Sequence, residues 1–215
     1  MTRVKICGVT SVEDAVSCAM AGADAVGMLV NVKVSPRRIT VEKAREITRR
    51  LPPFITPVIV MMPSSHEEVI DAALRIRPGA IQLHGNESPE TLLRIRQALP
   101  GIRLIKTIHV GEGAEVERSL SYKGSADAIL LDTASPAKGG SGATHDWSIS
   151  GEIVSALSMP VILAGGLSPS NVGNAIRSVR PFAVDVSSGV EMKGQKSFIK
   201  DIDLVRDFII GAREA

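Results

Sequence analysis

The chain has 215 residues, of which 44% are hydrophobic, 3% aromatic and 22% charged, and its formal net charge is +2. This composition excludes an intrinsically disordered chain, and the scattered charges, whose longest basic runs are pairs, argue against a nucleic-acid-binding surface. No apolar stretch approaches the ~18 residues of a membrane span, and no signal-peptide pattern is present. We therefore expect a single domain over residues 1–215 in the cytoplasm, with its two cysteines as thiols.

The predicted strands are β-branched runs that alternate with longer amphipathic stretches. In chain order they are Arg3–Cys7, Asp24–Val30, Ile55–Met62, Ala80–His84, Arg103–Ile108, Asp127–Asp132, Pro160–Ala164 and Phe182–Val186. Eight strand–helix units in 215 residues predict an α/β fold, a single-domain (β/α)8 TIM barrel near the lower size limit of that architecture. An open, doubly wound sheet uses the same alternation and remains the alternative.

Four of the intervening helices have recognisable start signals. Two are a serine followed three residues later by an acidic residue, which predicts a capping box, and two are Ser-Pro, which predicts a cap before a proline in the first turn. These signals are Ser11 with Asp14, Ser65 with Glu68, Ser88-Pro89 and Ser168-Pro169. The longest predicted loop, Thr133–Trp147, follows the sixth strand, and its length predicts either a lid or a disordered segment.

Candidate functional residues follow the predicted strands, because active sites of such barrels lie at the C-terminal ends of the strands. These candidates are Cys7, Arg37, His84, Asp132, Gly165, Gly166, Ser187, Ser188 and Gly189. The loops after strands seven and eight are where phosphate sites recur in this fold, so their glycines and serines predict backbone donors for a phosphate group. A tight turn into the next helix is the alternative interpretation of Gly165-Gly166 taken alone.

Cys7 and Asp132 are the candidates for proton transfer. Lys5 lies on the same side of the first strand as Cys7, and its ammonium group would lower the thiol pKa from about 8.5 toward a value useful to a general base. As a general acid, Asp132 would need a pKa raised from about 3.9, and burial or a thiolate at Cys7 would raise it. The alternatives are an inert buried cysteine and an ion pair between Asp132 and Lys5.

Arg37 lies in a loop stiffened by Pro36, and its planar guanidinium could bind a substrate carboxylate through two parallel hydrogen bonds. A solvated loop arginine is the alternative. The histidines show no metal-ligand spacing, so we expect no metal site. They are His66, His84, His109 and His145.

Seven segments together resemble the signature of the phosphoribosylanthranilate isomerase family of tryptophan biosynthesis. They are Lys5-Ile6-Cys7-Gly8, Ser35-Pro36-Arg37, Gln82-Leu83-His84-Gly85, Asp132-Thr133, Gly139-Gly140-Ser141-Gly142 followed by Asp146-Trp147, Leu163-Ala164-Gly165-Gly166-Leu167, and Asp185-Val186-Ser187-Ser188-Gly189-Val190-Glu191. The segments occur in the family's order from residue 5 to residue 191. Each segment alone is weakly diagnostic, but the ordered set is highly specific.

The resemblance implies a cofactor-free Amadori rearrangement of N-(5-phosphoribosyl)anthranilate to 1-(2-carboxyphenylamino)-1-deoxyribulose 5-phosphate. By the family pattern, Asp132 is the acid that opens the furanose ring and Cys7 is the base that removes the C2′ proton. Arg37 would orient the anthranilate carboxylate, and Asp185 would support the sugar or the loop. The other substrate-binding candidates are His84, Gly165, Gly166, Ser187, Ser188 and Gly189.

Other phosphate-binding barrel enzymes are the nearest alternative function. Indole-glycerol-phosphate synthase would need lysines and a glutamate at the strand ends, and thiamin-phosphate synthase would need carboxylates for Mg²⁺, whereas this chain offers Cys7 and Asp132. A catalytically silent barrel that binds a phosphorylated metabolite or a protein would not require that pair. We expect a phosphorylated aminosugar as the partner, with no nucleic acid and no membrane, and both monomer and homodimer remain open.

Overall fold

A computed structural model of the chain describes residues 1–133, 144–192, 194 and 198–215. Eight parallel strands form a barrel in these ranges: β1 (Arg3–Cys7), β2 (Ala25–Val30), β3 (Thr56–Met61), β4 (Ala80–Leu83), β5 (Arg103–Val110), β6 (Ala128–Thr133), β7 (Val161–Leu163) and β8 (Ala183–Val186). A further two-residue strand, Arg38–Ile39, pairs with the end of β2. The eight predicted strands are all present, with bounds within two residues of the predicted ones.

The sheet closes because β1 has a neighbour on each side. Lys5 is the register partner of Ala25 in β2 and of Asp185 in β8. The remaining strands pair in chain order from β2 to β8. Every barrel strand therefore has two neighbours, which confirms the (β/α)8 barrel and excludes the open doubly wound sheet.

Helices follow the strands and cover the outside of the barrel. They are α1 (Val12–Met20), α2 (Val41–Arg50), α3 (His66–Ile76), α4 (Pro89–Ala98), α5 (Glu115–Ser121), α6 (Trp147–Ala156), α7 (Val172–Val179) and α8 (Ile202–Arg213). Among the described residues, no helix has the length and apolar character needed to cross a membrane.

Three of the four predicted helix starts are N-caps in the structure. The hydroxyls of Ser11, Ser65 and Ser88 each accept a backbone N–H from the residue three positions on. The two predicted capping boxes are not closed by their acidic residues, however. The Glu68 carboxylate accepts from the N–H of Ser64 at 2.9 Å, and that of Asp14 accepts from the N–H of Lys200 at 3.0 Å. Asp14 thus fixes the segment before α8 rather than the start of its own helix.

The predicted helix start at Ser168-Pro169 is wrong, because α7 begins at Val172. Asn171 holds the preceding turn in place. Its side-chain oxygen accepts from the N–H of Ser168 at 2.8 Å, and its side-chain nitrogen donates to the carbonyl of Gly166 at 2.9 Å. The turn therefore fixes the loop that carries the Gly-Gly pair.

The barrel interior changes from apolar to polar along its axis. The apolar part is filled by small and β-branched side chains: Val58, Ala80, Ile105, Ala128, Leu130, Ile162, Ala164 and Ala183. Toward the C-terminal end the buried side chains include Lys5, Gln82, Thr107 and Asp185. Burying such groups is costly unless they are paired, so this end of the barrel is where function is expected.

The predicted lid falls largely outside the described residues. Of Thr133–Trp147, residues 134–143 are not described, and these include the motif Gly139-Gly140-Ser141-Gly142. On the far side of that gap, Asp146 caps α6 by accepting from the N–H of Ser148 at 2.9 Å.

Candidate active site

A pocket of about 150 Å³ lies at the C-terminal ends of the barrel strands. Its lining includes every residue that the sequence predicts to be catalytic or substrate-binding: Cys7, Arg37, His84, Asp132, Gly165, Gly166, Asp185, Ser187, Ser188 and Gly189. A second cavity of about 860 Å³, here called the outer cleft, is lined by residues 62–67, 84–88, 91, 109 and 112. The pocket and the outer cleft share Met62 and His84, so His84 belongs to the wall between them.

The Cys7 thiol lies inside the barrel next to Lys5. Gly27 of β2 provides the space, since a β-carbon there would lie 2.7 Å from the Cys7 sulfur and 3.1 Å from Lys5 Nζ. Burial raises the pKa of the Cys7 thiol, and this effect exceeds the lowering by the Lys5 ammonium. The predicted lowering of the Cys7 pKa is therefore wrong, because the loss of thiolate hydration outweighs attraction to an ammonium that is shared with a carboxylate.

That carboxylate is Asp185, which forms a buried ion pair with Lys5. Lys5 Nζ donates to Asp185 Oδ1 at 2.8 Å, and the two side chains are 5% and 8% exposed. The alternative pairing of Lys5 with Asp132 is thus not formed. Because Lys5 and Asp185 are register partners on β1 and β8, the pair also spans two neighbouring strands of the barrel.

The Asp132 carboxyl group lies at the end of β6 with its pKa shifted upward. Burial, followed by repulsion from Asp185, raises the pKa of Asp132 to about 6. Its Oδ1 accepts from the N–H of Thr133 at 3.0 Å, and its Oδ2 lies 3.6 Å from His84 Nε2. The shift has the direction required of a general acid, but its second cause is the Asp185 carboxylate rather than a Cys7 thiolate.

His84 follows β4 and contacts the neighbouring strand. Its Nδ1 lies 3.2 Å from Thr107 Oγ1 and 3.4 Å from Gln82 Nε2. Its ring packs edge-to-face against His109, with centroids 5.1 Å apart. The sequence treats these histidines as isolated, since they are separated by 25 residues; the parallel register of β4 to β6 brings them together.

Arg37 is paired rather than solvated. Its Nε and Nη2 donate to the two oxygens of Glu191 at 2.6 and 2.7 Å, and its guanidinium lies over the Phe198 ring at 4.8 Å. Lys200 Nζ also donates to Glu191, at 2.9 Å, and to the carbonyl of Ser187 at 3.1 Å. Glu191 therefore links the Arg37 loop to the loop after β8.

Glu191 and Lys200 do not line the pocket, but they hold Arg37 and the Ser187 carbonyl in place, and the sequence interpretation assigned neither of them this role. Glu191 is the last residue of the segment Asp185-Val186-Ser187-Ser188-Gly189-Val190-Glu191, and its place in that segment is the sequence signal that could have identified it. Lys200 follows no strand, and its side chain is buried although its residue type favours exposure, so no sequence signal identifies it.

The two glycine-containing loops pack tightly on each other and on β6. Gly165 and Gly166 have positive φ angles of 83° and 67°, and a β-carbon on Gly165 would overlap Thr133. A β-carbon on Gly189 would overlap the carbonyl of Leu167. Only glycine allows both approaches, so the loops present backbone to the pocket, as a phosphate group requires.

Comparison with known proteins identifies the family to which the chain belongs. The family model "N-(5'phosphoribosyl)anthranilate (PRA) isomerase" matches residues 4–210 of the chain. The chain belongs to the phosphoribosylanthranilate isomerase family. Its relative from Methanocella arvoryzae, named N-(5'-phosphoribosyl)anthranilate isomerase, is 61% identical over 209 residues, which cover 97% of each chain.

Solved structures of phosphoribosylanthranilate isomerases superpose along the whole chain. The Thermotoga maritima structure has a TM-score of 0.88 and 42% identity, with 100% of each chain covered. A structure in complex with reduced 1-(o-carboxyphenylamino)-1-deoxyribulose 5-phosphate has a TM-score of 0.84 and 39% identity, again covering 100% of each. A further Thermotoga maritima structure, of monomers generated from a dimeric phosphoribosylanthranilate isomerase, has a TM-score of 0.85 and 38% identity, with the same coverage.

Proposed function

We propose that this chain converts N-(5′-phosphoribosyl)anthranilate to 1-(2-carboxyphenylamino)-1-deoxyribulose 5-phosphate in tryptophan biosynthesis. The observation that carries the proposal is one pocket that combines a carboxyl group of raised pKa, a thiol and two backbone-lined glycine loops, on a chain of this family. Asp132 is the general acid and Cys7 is the general base. No step needs a cofactor, because the nitrogen already attached to the sugar accepts the electrons.

In the first step Asp132 protonates the furanose ring oxygen. The bond from C1′ to that oxygen breaks, and the nitrogen lone pair forms an iminium with C1′. A pKa of about 6 leaves roughly one molecule in ten protonated at pH 7, whereas a carboxyl group of ordinary pKa would leave about one in a thousand. The burial of Asp132 therefore increases the population of the competent acid by about a hundredfold.

In the second step the Cys7 thiolate removes the proton from C2′. The C–H electrons form the C1′–C2′ double bond, the iminium nitrogen becomes a neutral enamine, and the enolamine tautomerises to the ketose. C2′ is oxidised and C1′ is reduced within one molecule, so no external oxidant is required. Lys5 beside the thiol stabilises the thiolate once it forms, because a cation and an anion attract strongly at a buried site.

The remaining contacts position the substrate. The backbone near Gly166, Ser188 and Gly189 holds the phosphate group, and Arg37, oriented by Glu191, faces the anthranilate carboxylate. His84 contributes to the wall of the pocket beside Asp132. A cytoplasmic location and the choice between monomer and homodimer stay predictions.

The test follows the fluorescence of freshly generated phosphoribosylanthranilate with the wild type and Cys7→Ala side by side. We expect rapid decay with the wild type and a rate roughly 10²–10⁴-fold lower with the variant, the usual contribution of a positioned base. Cys18→Ala is the matched control, since Cys18 is a buried thiol in α1, away from the pocket. No decay with folded wild-type protein would reject the isomerase assignment, and equal decay with Cys7→Ala would remove Cys7 from the mechanism.

A further inference from the structure

Three metal-ligating side chains lie together at the wall between the pocket and the outer cleft. One ligand atom from each of His84, His109 and Asp132 lies within 4.8 Å of the other two. The three residues come from the ends of three neighbouring strands, and His109 is the register partner of Asp132. Two imidazoles and one carboxylate on rigid strand ends are a common ligand set for zinc and related ions.

We propose that His84, His109 and Asp132 form a binding site for one divalent transition-metal ion of the Zn²⁺ or Co²⁺ type. Ligands held about 2.0–2.1 Å from a tetrahedral ion lie about 3.3–3.4 Å from each other. His84 Nε2 and Asp132 Oδ2 are already 3.6 Å apart. The two distances from His109 are at most 4.8 Å, and they shorten by a rotation of the half-buried His109 ring, whose Nε2 now lies 3.3 Å from the carbonyl of His84.

The surroundings of His84 favour this site over a chance cluster. Thr107 Oγ1 lies within hydrogen-bond distance of His84 Nδ1, at 3.2 Å, while His84 Nε2 faces Asp132 Oδ2 at 3.6 Å. Metal-binding histidines usually have such a hydrogen bond on the second ring nitrogen. The outer cleft, of about 860 Å³, gives the ion access and leaves room for water at the remaining coordination position.

The proposed ion would use the carboxylate that the proposed function assigns as the general acid. Metal binding should therefore inhibit isomerisation, and this consequence rests on the proposed function. The binding itself does not rest on it. His109 takes part in no step of the proposed isomerisation, so it separates metal binding from catalysis.

The test is a titration of purified wild-type protein with Co²⁺, read by its visible absorption. We expect one Co²⁺ per chain and an affinity at least about tenfold lower in His109→Gln, since even the loss of an outer partner costs about 10–100-fold. His66→Gln is the matched control, because His66 lines the same cleft outside the cluster, and its affinity should equal that of the wild type. His109→Asn repeats the test if His109→Gln does not fold.

Three results would overturn the proposal: no binding to the wild type at millimolar Co²⁺, equal affinity in wild type and His109→Gln, or a sulfur-to-cobalt charge-transfer band that places the ion on a thiol. Inhibition is measured separately with Zn²⁺ in the fluorescence assay. Zn²⁺ should slow the wild type and His66→Gln at concentrations that spare His109→Gln. If the chain has no isomerase activity at all, the Co²⁺ titration still decides whether the site exists.

Discussion

The two ends of strand β6 carry one aspartate each, and the pKa values of the two carboxyl groups are shifted in opposite directions. Asp127 precedes the strand at the N-terminal end of the barrel, where it accepts from the N–H of Leu104 at 2.8 Å and from Arg96 and Arg103 at 3.1 and 3.3 Å. Burial would raise the pKa of Asp127, but these donors lower it below its ordinary value. Asp132 has a raised pKa, of about 6.

The opposite pKa shifts of Asp127 and Asp132 show that one aspartate of β6 serves stability and the other serves chemistry. A carboxylate with a lowered pKa stabilises the folded state at neutral pH, and one with a raised pKa destabilises it. The N-terminal end of the barrel thus uses its aspartate to join β5 to β6. At the C-terminal end the ionised Asp132 carboxylate lowers the stability of the fold, but its raised pKa lets the carboxyl group hold a proton for the reaction.

The largest expected effect is that of Asp132→Asn. Turnover should fall by roughly 10²–10⁴, because the amide cannot donate the proton that opens the ring. Stability should rise instead. The folded-state pKa of Asp132 is raised, so its contribution to stability is lost as pH increases through about 6, and the amide avoids this loss.

A shift of about two units corresponds to roughly 3 kcal/mol, so at pH 8 the free energy of unfolding should increase by about 1–3 kcal/mol. Urea denaturation at pH 8 and at pH 4 measures this, and the gain should disappear at pH 4. If Asp132→Asn lost stability as well as activity, the C-terminal aspartate of β6 would stabilise the fold, and the contrast with Asp127 would be wrong.

The next effect concerns an ion pair at the C-terminal end, between Arg37 and Glu191. Arg37→Ala should raise KM by roughly 10–100-fold with a smaller change in kcat, since a charged hydrogen bond contributes about 1.5–3 kcal/mol. Arg37→Lys keeps the charge without the planar fork, and should recover part of the loss. An unchanged KM in Arg37→Ala would show that the guanidinium holds the two loops together without touching the substrate.

The sequence predicted the fold better than the electrostatics of the site. The strands were predictable because β-branched runs and helix caps are local signals, and strand order in a closed barrel places the strand ends in one pocket. The upward shift of the Cys7 pKa was not predictable, because it depends on the burial of the thiol in the folded barrel and on the pairing of Lys5 with Asp185, 180 residues away. The cluster of His84 with His109 likewise follows from register, which the spacing of histidines does not reveal.

The pH dependence of kcat/KM is a smaller effect that follows from the same two groups. The pKa of Asp132 is about 6 and that of Cys7 is raised above its ordinary value, so the acid has a lower pKa than the base. Between the two values the fraction of molecules with protonated Asp132 and ionised Cys7 is small but constant. Below about pH 6 Asp132 is already protonated while thiolate keeps declining, so kcat/KM should fall about tenfold per pH unit.

Asp132→Asn tests this assignment. Without a titrating acid, the residual kcat/KM should rise continuously with pH from about 5 to 8, and the bend near pH 6 should be absent. A bend that persists in the variant would belong to another group.

The smallest expected effect on activity is that of Asp127→Asn, the matched variant at the other end of β6. The folded-state pKa of Asp127 is lowered, so its contribution to stability is present above the pKa of the unfolded chain and is lost as pH falls through the folded value. Asp127→Asn should therefore lower the free energy of unfolding by about 1–2 kcal/mol at pH 7, a modest figure because Arg103 is largely exposed. The deficit should shrink below about pH 4, where the wild-type carboxylate is itself protonated. Since Asp127 lies a whole strand away from the pocket, kcat should be unchanged; a fall in kcat comparable to that of Asp132→Asn would mean that the two ends of β6 are not independent.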